Sequence, residues 1–209
     1  MLHIAKKLGQ LSFGKLMAVY MDTNRTTGAL LAPEETVERQ IQLSEQEAYS
    51  YLHDDFFQQK GAVYCIWEEG GAYVCALRLE PYMDGLLLEA LETAPSYRRK
   101  GYAVLLIGAV QQMLEQQGSV RIYSHVGKRN EASLKTHFAC GFQIMKDHAA
   151  YIDGSVNRYI YDVTDGTMTY KLSFTDAGSG TRTVAFEPCR GDVVGAKTAE
   201  TVITLAANS

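Results

Sequence analysis

The sequence predicts a mixed α/β (α+β) fold: a mostly antiparallel central sheet with one parallel strand pair, flanked by helices, and a small C-terminal β appendage. Three observations carry that expectation. Two β-rich runs, 62–69 and 72–82, meet at Gly70-Gly71, the signature of a hairpin. Between 86 and 126 a strand, a cationic glycine turn, an apolar helix and a second strand follow in order. That βαβ unit requires a parallel pair joined by a right-handed crossover. After about residue 163, helix signals give way to period-two alternation.

In chain order, "GKLMAVYMD" (14–22) reads as a first strand or the end of a helix leading into one. The polar stretch that follows, broken by Gly28 and Pro33, reads as a loop, with a helix start near Pro33–Glu35. Ser44 and Glu47 form a capping-box pattern. Ala48, Tyr51, Leu52 and Phe56 then recur at three- and four-residue spacing, which predicts an amphipathic helix over 45–59 ended by Gly61. After the hairpin, 86–94 is a third meander strand that stops at Pro95. Val104, Leu105, Ile107, Val110, Met113 and Leu114 define the apolar face of a helix from Gly101 to about Gln117, and 120–126 is the next strand. Residues 130–140 form a second helix with Asn130 as N-cap. Residues 142–152 and 156–163 read as a closing hairpin around Asp153-Gly154, and 167–174, 181–188 and 201–207 as strands of the tail. The expected division is 1–163 for the main domain and 164–209 for a β-rich extension.

Hydrophobic residues make up 46% and charged residues 21%, enough for a sizeable core. A net charge of -4 gives no global attraction to nucleic acid or an anionic membrane, so neither is expected as a partner. No apolar run reaches membrane-span length, and the N-terminus lacks a signal-type apolar core, so a cytoplasmic protein is expected. The four cysteines form no CxxC pair or His/Cys cluster, which predicts buried reduced thiols and no metal.

Against that acidic background, Arg98-Arg99-Lys100-Gly101-Tyr102-Ala103 stands out. A glycine turn opening a helix presents unpaired backbone N–H groups and the positive end of the helix dipole, which suit a phosphate or pyrophosphate. Read alone, the string is equally a solvated basic turn. Its surroundings resemble the GNAT superfamily of N-acetyltransferases, whose acyl-CoA signature is Q/R-x-x-G-x-G/A at a helix start after the fourth strand. A second element resembles that family too: Asn130 after the next strand, then a helix running into Gly141-Phe142. The resemblance covers about residues 12–163.

The resemblance implies acetyl-CoA as acyl donor and a primary amine, of a small molecule or a protein, as acceptor. It implies that backbone amides of Arg99, Lys100, Gly101, Tyr102 and Ala103 hold the pyrophosphate, with Arg98 at the loop entrance. The strands carrying 86–94 and 120–126 would splay around the pantetheine arm, and a main-chain N–H among Leu91, Glu92 and Thr93 would polarise the thioester carbonyl. Asn130 would touch the pantetheine or simply cap its helix. Direct attack needs a base, and Glu89 and Glu92 lie on the strand leading to the loop. Their odd spacing puts them on opposite faces, so one of them faces the substrate. His137 stands where many members of the family have the tyrosine that protonates the departing thiolate. It is either that acid or a helix-face residue. The aromatics Tyr49, Tyr51, Phe56, Phe57 and Tyr151 line a pocket or fill the core. A non-catalytic acyl-CoA-binding module is the alternative to an enzyme, and a homodimer is compatible with either. A structural or adhesion role would suit the β-rich tail but leaves the cationic loop unexplained.

Overall fold

The computed structural model describes residues 1–118, 120–127, 130–146, 158–160, 170–177, 181–188, 194–196 and 198–205. They form two compact units, Met1–Tyr123 with Thr204 and Leu205, and Ser124–Ile203.

The first unit is a sheet of β1 (Leu2–Ala5), β2 (Val63–Glu69), β3 (Ala72–Tyr82), β4 (Gly85–Thr93) and the first half of β5 (Val120–Gly127), in that spatial order. Neighbours are antiparallel except β4 and β5, which are parallel. The β2–β3 hairpin turns on Gly70 and Gly71 as predicted, both at positive φ. At the start of the parallel pair, Gly85 lies so close to the Arg121 carbonyl that no Cβ would fit. Asp84 joins both Arg121 (3.0 Å) and the Tyr123 hydroxyl there.

Helices α1 (Phe13–Val19), α2 (Met21–Leu31) and α3 (Val37–Asp54) precede the hairpin, and α4 (Tyr102–Glu115) connects β4 to β5. Leu16, Val19 and Tyr20 join Leu52, Phe56, Tyr64, Ile66 and Ala76 in one core cluster. Cys65, Leu77 and Leu79 are buried on the alternate side chains of β2 and β3. α4 packs on β2, β3 and β4 through a face whose Leu106, Ile107 and Val110 are fully buried. Burial pushes the Cys65 thiol up to about 12 and the Cys75 thiol up to about 11, so both are held as protonated thiols. No helix among the described residues is long and apolar enough to cross a membrane. Among them, no His/Cys/Asp/Glu group could hold a metal ion.

The first 60 residues depart most from expectation. The run 14–22 is helical, all of α1 after Phe13 and the start of α2, with Tyr20 between them. Its β-formers Val19 and Tyr20 are in the core cluster, and that burial outweighs weak strand propensity. Residues 23–31 are helix rather than loop. Gly28, which reads as a breaker, sits inside α2 because a Cβ there would collide with the Gln40 backbone of α3. The gain is close helix packing, which includes a buried hydrogen bond from Ser44 to Asn24 (3.4 Å). α3 therefore begins at Val37, capped by Thr36, and the Ser44–Glu47 pattern lies mid-helix.

In the second unit, α5 (Glu131–Ala139) is capped by Asn130, whose Oδ1 accepts from the Ser133 amide at 3.1 Å. β6 (Gln143–Lys146) pairs antiparallel with β11 (Thr198–Leu205). A four-stranded sheet has the order β10 (Val194–Ala196), β7 (Arg158–Ile160), β9 (Thr181–Pro188), β8 (Tyr170–Ala177). The expected β6–β7 hairpin is thus corrected: eight-residue β11 offers β6 a longer edge than three-residue β7, which pairs with β10 and β9. The turn at Asp153-Gly154, Tyr151 and Cys189 lie outside the described residues.

Candidate functional site

Three pieces of the first unit converge near the end of β4. The first is the turn into α4. Gly101 is the N-cap of α4 with φ 83°, and no side chain caps the helix. A Cβ built on Gly101 would meet nothing within 4 Å, so the space before it is open. Arg99 also has positive φ (61°), which folds the turn back on itself. With no side-chain cap, the first backbone N–H groups of α4 stay available at the positive end of the helix dipole. Lys100 places its ammonium 5.2 Å from the Tyr97 ring centroid, and Tyr97 packs edge-on to Tyr102. Leu106 and Ile107 anchor the helix below the turn.

The second piece is Arg98, which faces the protein. Its guanidinium donates to Thr93 O (3.1 Å), Asp22 Oδ2 (2.6 Å) and Glu92 Oε1 (3.2 Å). It therefore ties the turn to β4 and α2, with its charge matched by two carboxylates. Glu92 also accepts from Thr23 Oγ1 at 2.6 Å. Burial raises the Glu92 carboxyl pKa, while Thr23 and Arg98 oppose the rise.

The third piece is a β-bulge. Opposite β3, Ala76 faces Glu92 and Arg78 faces Glu89, so Leu77 alone faces both Ala90 and Leu91. Ala90 takes φ 49°, and its carbonyl accepts from the Tyr20 hydroxyl at 2.6 Å. Beside the bulge, Tyr64, Arg78 and Glu89 stand directly opposite one another across β2, β3 and β4. Arg78 pairs with Glu89 at 3.2 Å and lies over the Tyr51 ring, 4.8 Å from its centroid. Glu80, two residues on, shares that face. Burial raises its carboxyl pKa, and the neighbouring Glu89 raises it further.

Leu91, Glu92 and Thr93 thus end β4, Arg98 to Gly101 form the turn into α4, and Tyr102 and Ala103 are its first residues. The bulge puts Glu89 and Glu92 on one face, opposite Arg78 and Ala76, rather than on the opposite faces that their odd spacing predicts. Glu92 is braced by Thr23 and Arg98, while Glu89 is one-third exposed beside Glu80. His137 is 1% exposed. Its Nδ1 lies 2.8 Å from Ser133 O and its Nε2 2.9 Å from Ser124 Oγ, and Phe142 packs edge-on to the ring. Desolvation lowers its pKa, which favours neutral imidazole. Phe56 is core and Tyr51 half-buried, whereas Tyr49 is exposed against Phe13 and His53. Sequence reasoning missed Tyr20, Arg78 and Glu80. Arg78 and Glu80 carried a signal, two charges at i and i+2 in an otherwise apolar strand, but Tyr20 had none, since it is one more apolar residue in a run that reads equally as a strand or a helix end.

The family model described as acetyltransferase (GNAT) family matches residues 29–142, more than half of the chain. Among solved structures, the ribosomal-protein-S18-alanine N-acetyltransferase of Escherichia coli is similar at 14% identity and a TM-score of 0.54, over 100% of this chain and 97% of that one. An aminoglycoside 6'-acetyltransferase type Ii is similar at 10% identity and a TM-score of 0.55, over 100% and 99%. A GNAT superfamily phosphinothricin acetyltransferase from Sinorhizobium meliloti, in complex with acetyl-CoA, is similar at 13% and 0.50, over 99% and 88%. No curated protein matches the chain. The structural likenesses establish the fold.

Proposed function

Because the chain belongs to the GNAT acetyltransferase family, we propose that it transfers the acetyl group of acetyl-CoA directly to a primary amine of a small molecule or protein. The observation that carries this reading is the turn at Arg98–Ala103, a glycine-opened helix start with free space before it. Acetyl-CoA supplies a thioester and a pyrophosphate. Amides of Arg99 to Ala103 and the α4 dipole hold the pyrophosphate, while Arg98 braces the turn from behind. The Leu91 N–H at the bulge polarises the thioester carbonyl.

Glu89, backed by Glu80, takes the proton that the acceptor nitrogen loses as it bonds to the carbonyl carbon. The carbon–sulfur bond then breaks, and the thiolate takes a proton from water. Burial and the neighbouring Glu89 charge raise the basicity of Glu80, which places a second proton-accepting carboxylate beside the base. His137 is assigned to packing in this reading and Asn130 to capping. A non-catalytic acyl-CoA-binding module has one observation in its favour, the engagement of both His137 ring nitrogens.

Glu89→Gln tests the assignment. With a panel of primary amines, its kcat is expected to fall about 100-fold while calorimetric CoA affinity stays unchanged. Undiminished turnover by Glu89→Gln would remove the base from this site. CoA binding by the wild type with no turnover for any amine would favour the binding module.

A further inference from the structure

We infer that Tyr20 is a positioning residue that latches the β4 bulge and thereby aims the Leu91 N–H at the acyl carbonyl. The inference rests on the acetyltransferase reading above. Tyr20 is the junction between α1 and α2, serving as C-cap of one and N-cap of the other. The residue is 8% exposed, and its ring packs edge-on to Tyr64 at 6.5 Å. From that fixed position the hydroxyl donates to the Ala90 carbonyl at 2.6 Å.

Ala90 has the left-handed φ of 49° that alanine disfavours, in a strand that would otherwise continue regularly. Something must hold it there, and the phenol is the polar group seen to do so. A planar trans peptide ties the two ends together: the C=O of Ala90 and the N–H of Leu91 belong to one rigid unit and point in opposite directions. Fastening the carbonyl toward Tyr20 therefore points the amide away from Tyr20. The α1–α2 junction thus sets the direction of the donor without touching the substrate. The Tyr20 phenol is also held protonated, since burial raises its pKa well above the ordinary value, so it remains a donor across the working pH range.

The test uses Tyr20→Phe, which keeps the ring and deletes the hydroxyl, alone and combined with Ala90→Gly. Two readouts are taken on the full chain: steady-state kinetics, and the hydrogen-exchange protection that acetyl-CoA confers on the Leu91 amide. Tyr20→Phe is expected to lower kcat about three- to tenfold, the worth of one hydrogen bond, with KM for acetyl-CoA little changed. The Leu91 protection should fall by a similar factor. Adding Ala90→Gly should restore most of both, because glycine adopts the left-handed φ unaided. If Tyr20→Phe alone does not fold, the double variant, whose backbone needs no latch, is compared directly with the wild type and should approach it in both readouts. Wild-type kcat and Leu91 protection in Tyr20→Phe would overturn the inference. So would a loss that Ala90→Gly fails to repair, since that pattern belongs to general core damage. A wild type that protects Leu91 with acetyl-CoA but acetylates no amine would sink the enzyme reading while the latch, read by exchange, still stands.

Discussion

Replacing Gly101 perturbs the proposed donor site with little collateral damage, and its consequences can be worked from the geometry. A Cβ at this position meets no protein atom within 4 Å, so no steric clash opposes the substitution. What remains is backbone strain: at φ 83° an L-residue is disfavoured, by about 1 kcal/mol for alanine and up to about 2 for valine. The loss of folding stability should stay within that range. Ligand binding should suffer more. If the open space before Gly101 is where a pyrophosphate approaches the turn, the new side chain prevents close contact with the amides. One or two charge-assisted hydrogen bonds are then lengthened or lost. Each is worth about 1.5–3 kcal/mol, so the Kd for CoA should rise at least tenfold for Gly101→Ala and further for Gly101→Val. The assay pairs calorimetric titration of CoA with denaturant unfolding of the same samples. Unchanged CoA affinity in Gly101→Val, with the stability loss as expected, would refute the placement of the pyrophosphate.

Arg98→Met removes the brace between the turn, Asp22 and Glu92. These are partly exposed ion pairs, so unfolding should show a loss of only about 1 kcal/mol, with a smaller effect on CoA binding than Gly101→Val. Abolished CoA binding at full stability would mean that the guanidinium contacts phosphate instead. The raised pKa of Glu80 makes folding more favourable when this carboxyl is protonated. Its contribution is full below the ordinary glutamate pKa and is lost as pH rises through the folded value, so Glu80→Gln should flatten the stability–pH profile on that side. A profile unchanged by Glu80→Gln would contradict the assigned environment. His137 has the opposite sign: its lowered pKa makes the neutral form favourable, a contribution present above the ordinary histidine pKa and lost as pH falls through the folded value. His137→Phe should cost about 1–2 kcal/mol in unfolding and leave kcat within about twofold per folded molecule. A large fall in kcat at unchanged stability would restore it as the acid.

Local rules read the middle of the chain well. The Gly70-Gly71 turn, β4, the α4 start at Gly101 and the Asn130 cap each depend on residues within a few positions of one another, and each lies where the sequence placed it. What failed depends on distant partners. Gly28 breaks a helix by propensity yet belongs inside α2 because the backbone of Gln40 lies against it. β6 could not reveal that its partner is β11, some 55 residues further along the chain. At the site, the turn was legible because its chemistry is written in consecutive residues. The environment of each charge was not: Arg98 reads only as a cation at the loop entrance until Asp22, 76 positions away, is seen to hold it. Tyr20 and Ala90, 70 positions apart, meet only after folding.

The most direct test of the account is amine-dependent release of free thiol from acetyl-CoA, measured beside CoA binding on the same preparation. Release should require both an amine and the intact turn, and should fall in Gly101→Val in step with the weakened affinity. Tight CoA binding with no thiol release across a broad amine panel, or release that Gly101→Val leaves untouched, would contradict it.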